Sequence, residues 1–127
     1  MPGYDGARFH PPAPVAEVVL RNPESGASVS GVTLLMDTGA DVTLLPRRAV
    51  EQLGVVPIAG EHCELAGFDG RRCVASVVML DLVFLRRAFR GRYLLVEEER
   101  GILGRDILNH ITLLLDGPRR EWSEHSP

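Results

Sequence analysis

Leu34-Leu35-Met36-Asp37-Thr38-Gly39-Ala40-Asp41 is the segment on which the fold turns. An apolar run climbs to one carboxylate, and the chain then bends on a hydroxyl residue and a glycine. Burying an unpaired charge is costly, so a carboxylate in this setting either finds hydrogen bonds or takes up a proton. Thr38 and Gly39 supply a hydroxyl, free backbone N–H groups and room for close approach. On this stretch alone two readings of Asp37 stand open. It is a catalytic carboxylate in an Asp-Thr-Gly loop, or an ordinary Asp where a strand meets a turn.

Upstream, the β-branched run Val15 to Leu20 reads as a strand, Asn22 to Gly26 is a cluster of turn formers, and Val29 to Asp37 reads as a second strand. Residues 15–37 are therefore expected to form a hairpin that delivers Asp37 to its end. Downstream, Val42 to Leu45 reads as a short strand. Pro46 to Gly54 reads as a short helix, with Pro in its first turn and Gly just past its end. Glu61 to Arg72 is expected to be a hairpin arm with Gly67-Phe68-Asp69-Gly70 at its tip, because Asp-Gly accepts the positive φ such a turn requires.

Cys73 to Leu85 is a long strand, apolar at alternate and intervening positions, which predicts burial on both sides. Arg86 to Arg92 is expected to turn the chain, and Tyr93 to Val96 to return it. Glu97 to Arg100 is a charged connection. Gly101 to His110 reads as a short strand running into a short helix, and Ile111 to Leu115 as a last apolar strand.

Pro2, Pro11, Pro12 and Pro14 make residues 1–14 an expected flexible arm, and Gly117-Pro118 opens an expected polar tail over residues 117–127. The domain proper then spans residues 15–116. About seven short strands and one or two short helices predict a mostly-β fold, a small closed β-barrel.

The composition agrees. A chain of 127 residues has room for one core, and 45% hydrophobic with 24% charged residues is an ordinary globular mix. A formal charge of −3 gives no global attraction to nucleic acid or anionic membranes, and no apolar run is long enough for a membrane span. Two cysteines and an N-terminus without an apolar leader predict a soluble protein of a reducing, cytoplasmic compartment. His10, His62, His110 and His125 are scattered, and with Cys63 and Cys73 they form no zinc pattern, so neither metal nor other cofactor is expected. Ser25, Ser28, Ser30 and Ser76 lack a nucleophile-elbow setting. The charge clusters Arg86 to Arg92 and Glu97 to Glu99 read as solvated.

Two details favour the catalytic reading of Asp37. An Asp-Thr-Gly-Ala tetrapeptide arises by chance at roughly one position per tens of thousands. About 65 residues later the chain carries a second apolar-to-polar element, Ile102-Leu103-Gly104-Arg105-Asp106. In this order and spacing, the sequence resembles the retropepsin-like aspartic proteases, the single-domain relatives of retroviral proteases, over about residues 15–116.

The resemblance implies a retropepsin fold and a role for each matching residue. Asp37 is then the catalytic aspartate, in an active-site loop with Thr38, Gly39 and Ala40. Thr38 bonds across to the partner's copy of the loop. Gly39 uses its backbone to bind substrate and lets the carboxylates come close. Asp41 sits beside substrate backbone and pairs with Arg105, whose planar guanidinium suits a bidentate partner. Residues 64–72 become a flap, in which Gly67, Phe68, Asp69 and Gly70 meet the bound peptide.

Metal-free peptide hydrolysis requires a base to activate water and an acid to protonate the carbonyl oxygen. Two neighbouring carboxylates do both by sharing one proton. With one Asp-Thr-Gly per chain, the second carboxylate comes from another copy, on the axis of a two-fold homodimer. The expected function is thus a homodimeric aspartic endopeptidase acting on an extended peptide. The alternative is a dimer of the same fold that binds or scaffolds peptides with little turnover, and a third possibility is a precursor activated by trimming of its ends. The chain also departs from the family. The flap tip is shorter and less Gly-rich and carries an acid, Val42 stands where some retroviral enzymes have a further Asp, and the chain ends bear no clear likeness to retroviral terminal strands.

Overall fold

Alternation builds the first long hairpin. In β2 (Ala13–Arg21), Ala16, Val18 and Leu20 are buried while Glu17 points to water. β2 runs antiparallel to β3 (Ser28–Met36), with Val15 opposite Leu35 and Val18 opposite Val32. Asn22 shapes the connection by accepting the Glu24 N–H on its side chain at 3.0 Å. The expected hairpin over residues 15–37 is present, and it ends at Asp37.

The computed structural model describes residues 3–66 and 72–125. Before β2 lies β1 (Tyr4–Asp5). After β3 follow β4 (Leu44–Pro46), α1 (Arg47–Glu51), β5 (His62–Ala66), β6 (Arg72–Phe84) and β7 (Arg87–Val96). β8 (Gly101–Leu103), α2 (Arg105–Leu108), β9 (Leu113–Asp116) and β10 (Glu121–Glu124) complete the chain. Neighbouring strands run β2-β3-β8-β4-β7-β6, and β6 pairs back onto β2, so the sheet closes into a ring. The fold is mostly β with two short helices, as expected. No helix of the described chain is long and apolar enough to cross a membrane.

Inside the ring Leu20, Leu34, Leu45, Leu80, Leu82 and Leu103 are fully buried, each contributing about 1.5–3 kcal/mol of transfer free energy. β6 is covered on both sides for part of its length. Val78, Leu80, Leu82 and Phe84 join the main core, while Ala75 and Val77 meet Leu94 in a second cluster. On that second face Met79 is 43% exposed.

The same face of β6 carries a buried charge. The register sets Asp81 opposite Arg21 of β2 and opposite Arg90 of β7. Its carboxylate accepts from Arg90 Nε at 2.9 Å and from Arg21 Nη2 at 3.2 Å, bridging the strands where the ring closes. The Arg90 hydrogen bond, and then that of Arg21, hold the Asp81 carboxyl below its usual 3.8 despite burial. A carboxyl whose folded pKa is depressed stabilises above its unfolded value and loses that contribution as pH falls through the folded one. Asp81→Asn should therefore cost about 1–2 kcal/mol at neutral pH, since both arginines remain partly in water. In urea melts the gap between wild type and variant should be constant above about pH 5 and close below the ordinary carboxylate range.

Three expectations need correction. The Arg86–Arg92 run stays exposed, as expected, but from Arg87 onward it is strand rather than turn. The bend is confined to Leu85 and Arg86, both at positive φ, and the arginines are used: Arg90 on Asp81, Arg87 on the His110 carbonyl at 2.7 Å, and Arg92 near Glu61 at 3.5 Å. The N-terminal residues are not a loose arm, because β1 pairs with Ala13 and Pro14 and Gly3 bridges to Glu121. The polar tail hides Trp122, 5% exposed, which packs on Phe84 and donates its indole N–H to the Val15 carbonyl at 2.8 Å. The low polarity of one indole outweighs its charged neighbours.

Candidate active site

β3 and β8 run parallel, with Leu34 beside Gly101, Leu35 beside Ile102 and Met36 beside Leu103. Parallel neighbours leave the sheet at the same end. The two sequence elements singled out above, 65 residues apart, are therefore delivered side by side. Asp37 extends the ladder by donating its N–H to the Leu103 carbonyl at 3.0 Å.

Past that point the chain folds back on itself. The Asp37 Oδ1 accepts the Gly39 N–H at 2.8 Å, and the Asp37 carbonyl accepts the Ala40 N–H at 3.2 Å. A Cβ on residue 39 would lie 3.0 Å from that same Oδ1, so a larger residue there would press on the carboxylate. One carboxylate oxygen is thus engaged within the loop. Asp37 is half-buried, while Thr38 and Gly39 are exposed. The loop forms an open surface, not a closed pocket. A hollow of about 430 Å³ elsewhere, between β3 and α1, is lined by Arg8, Arg48 and Arg100 among others and does not include it.

The support comes from the start of α2. Arg105 donates its backbone N–H to the Ala40 carbonyl at 2.9 Å and its Nη1 to the Thr38 carbonyl at 2.6 Å. Arg105 therefore holds the loop, as expected, but through different atoms. The expected Asp41–Arg105 ion pair is absent: the guanidinium is taken by the Thr38 carbonyl, and Asp41 is exposed with no ion pair among the described residues. Water solvates an exposed carboxylate well, so the chain gains little by pairing it.

A second clamp went unread in the sequence. Thr43 is fully buried and donates its hydroxyl to Asp106 Oδ1 at 2.6 Å and its N–H to Asp106 Oδ2 at 3.1 Å. Its hydroxyl oxygen in turn accepts the Gly104 N–H at 3.0 Å. Gly104 must be glycine, because a Cβ would sit 2.8 Å from the Val42 carbonyl. The chain leaving the Asp37 loop is thereby tied to the chain entering α2 by charge-assisted bonds. The available signal was a Thr inside an apolar run and an Asp beside the Gly-Arg pair, neither of which has an obvious use when read singly.

β5 and β6 form the expected hairpin arm, Ala66 opposite Arg72. Its tip, Gly67, Phe68, Asp69 and Gly70, lies outside the described residues. Among the described residues no three His, Cys, Asp or Glu side chains are grouped so as to hold a metal ion.

Among solved structures the chain is similar to the EIAV protease in complex with the inhibitor HBY-793. The match has 21% identity and a TM-score of 0.58, covering 84% of this chain and 91% of that one. It is also similar to a retropepsin-like aspartic protease from Rickettsia conorii, at 15% identity and a TM-score of 0.48, over 90% of this chain and 96% of that one. No family model and no curated protein matches the chain. The fold is retropepsin-like.

Proposed function

We propose that this chain is a homodimeric aspartic endopeptidase, with one Asp37 from each protomer forming the catalytic pair. The observation that carries the reading is the exposed Asp37-Thr38-Gly39 loop, one per chain, braced from behind by Arg105 on a retropepsin-like fold. A single carboxylate cannot serve as base and acid at once. Two that share a proton can, because their mutual repulsion keeps one protonated while the other ionises. The ionised member takes a proton from the attacking water, and its protonated partner gives one to the carbonyl oxygen of the scissile bond. The engaged Oδ1 of Asp37 fixes the orientation of the carboxylate.

The substrate is an extended peptide. Exposed backbone at Gly39, the Asp41 carboxylate and the hairpin arm of β5 and β6 offer main-chain and side-chain partners to a strand laid across the loop. Thr38, exposed beside the axis, meets its counterpart in the partner.

Cleavage of a peptide library by the purified chain tests this. The rate should follow a bell in the acid to neutral range, with two apparent pKa values that belong to the pair. Activity per chain should fall on dilution as dimers separate. Peptide binding without turnover would instead support a scaffolding module, and turnover that is independent of both pH and dilution would overturn the two-carboxylate site.

A further inference from the structure

Three arginines that lie far apart in the sequence, Arg8, Arg48 and Arg100, line the hollow of about 430 Å³ between β3 and α1. The topology gathers them. β8 enters the sheet at Gly101, beside Leu34 of β3, and the antiparallel β4 leaves it at that same end. Arg100 just before β8 and Arg48 just after β4 therefore flank the outer stretch of β3, and the turn after β1 adds Arg8.

Several other arginines are engaged within the fold: Arg21 and Arg90 on Asp81, Arg47 on Glu97, Arg87 on the His110 carbonyl and Arg105 on the Thr38 carbonyl. Among the described residues, none of the three guanidinium groups in the hollow donates a hydrogen bond or closes an ion pair. Two of them are nonetheless held in place. Arg100 lies 4.6 Å from the centroid of the Phe9 ring, a contact made by the face of the cation that leaves the N–H groups on its edge free. Arg8 is fixed through its backbone, since Asp5 Oδ1 accepts the Ala7 N–H at 2.9 Å and the Arg8 N–H at 3.0 Å.

Two carboxylates stand nearby. Glu99 lines the hollow, and Asp5 feels the charges of Arg8 and Arg100 while its Oδ1 serves the backbone. Three cations against two acids leave this concavity positive in a chain whose formal charge is −3. Concave walls of low dielectric focus such a field and raise the local concentration of anions. The rest of the lining suits a ligand with an organic part beside its charge. Ser30 and Thr33 bring hydroxyls, Gln52 brings an amide, and Val29, Pro46 and Ala49 add apolar surface. The volume falls within the roughly 300–1,000 Å³ typical of small-molecule sites.

We propose that this hollow binds the phosphate chain of a small molecule, an inorganic polyphosphate or a nucleotide, with Arg8, Arg48 and Arg100 as its charge partners. Guanidinium forks match phosphate oxygens two at a time. The site lies outside the Asp37 loop, and it does not rest on the aspartic-protease reading.

Calorimetric titration of the full chain at low salt, with inorganic triphosphate and with ATP, tests it. Triphosphate should bind once per chain with a Kd below about 100 μM, and added salt should weaken it by screening the arginines. ATP binding tighter than triphosphate identifies a nucleotide site, and ATP binding no tighter identifies an inorganic one. Arg48→Gln, at an exposed helical position where Gln keeps the helix propensity, should weaken binding at least about 10-fold, as should Arg100→Gln. Glu99→Gln should act in the opposite sense and tighten binding about 3–10-fold, because the acid that lines the hollow loses its charge. Asp37→Asn should bind as the parent does whatever happens to cleavage, so failure of either reading leaves the other standing. No saturable heat up to about 5 mM triphosphate, or saturable binding that both arginine changes leave intact, overturns the site.

Discussion

Asp37→Asn should abolish peptide cleavage, lowering kcat/KM on the order of 10³-fold or more, with no change in fold or mass. The substitution is close to isosteric. The side-chain oxygen that accepts the Gly39 N–H at 2.8 Å is kept, so the loop retains its shape, as do the Arg105 contacts behind it. What disappears is the ability to take a proton from water and return it. In a dimer both positions change together, so base and acid are lost at once. The check is a matched pair of assays on the same peptide pool, with sedimentation confirming equal dimer content. A variant within a few-fold of wild type would remove Asp37 from the chemistry.

The reading of Asp37 rested on a simple rule, that a carboxylate at the end of an apolar run must be used or paired. The same rule would have found more than it was asked to. Asp81 stands inside an apolar run as conspicuous as the one before Asp37, and it is paired with Arg21 and Arg90 across the closure of the ring. Its partners come from strands that only the register brings together, and Arg90 reaches it while keeping most of its own side chain in water. Thr43 and Asp106 escaped for a similar reason, since a buried hydroxyl bonded to a carboxylate 63 positions away leaves no local pattern.

Parallel pairing of β3 with β8 explains why the two recognisable motifs meet, and it was implicit in their likeness to a known family rather than in either motif alone. Where the sequence misled, the cause was local composition. Prolines near the start suggested a loose arm and Gly117-Pro118 a polar tail, yet the Gly3 bridge and the buried Trp122 tie both ends to the body. Asp41 misled in the opposite sense, because a charge that water already solvates needs no partner in the chain.

Gly101→Ala tests the junction that holds the site together, and it should be the most damaging Gly→Ala change among the described glycines. Gly101 lies in β8 between β3 and β4, and a Cβ there would fall 2.0 Å from the Leu44 carbonyl oxygen, 2.7 Å from Leu34 Cδ2 and 3.0 Å from Pro46 Cδ. The leucine tip has little room to yield, since Leu34 is fully buried. The carbonyl cannot move without disturbing β4, which is paired to β7 at Leu94 and to β8 at Ile102. Overpacking of this kind should cost about 3–5 kcal/mol. A domain whose whole stability is about 5–15 kcal/mol would lose much of its margin, and the melting temperature should fall by roughly 10–20 °C. Gly117→Ala is the matched control, because a Cβ there meets nothing within 4 Å, and it should change stability by less than about 0.5 kcal/mol. Urea melts of the two variants beside wild type decide the matter. Equal stability of all three would mean that β8 has slack between β3 and β4, and that the shared exit of Asp37 and Arg105 is not fixed by this contact.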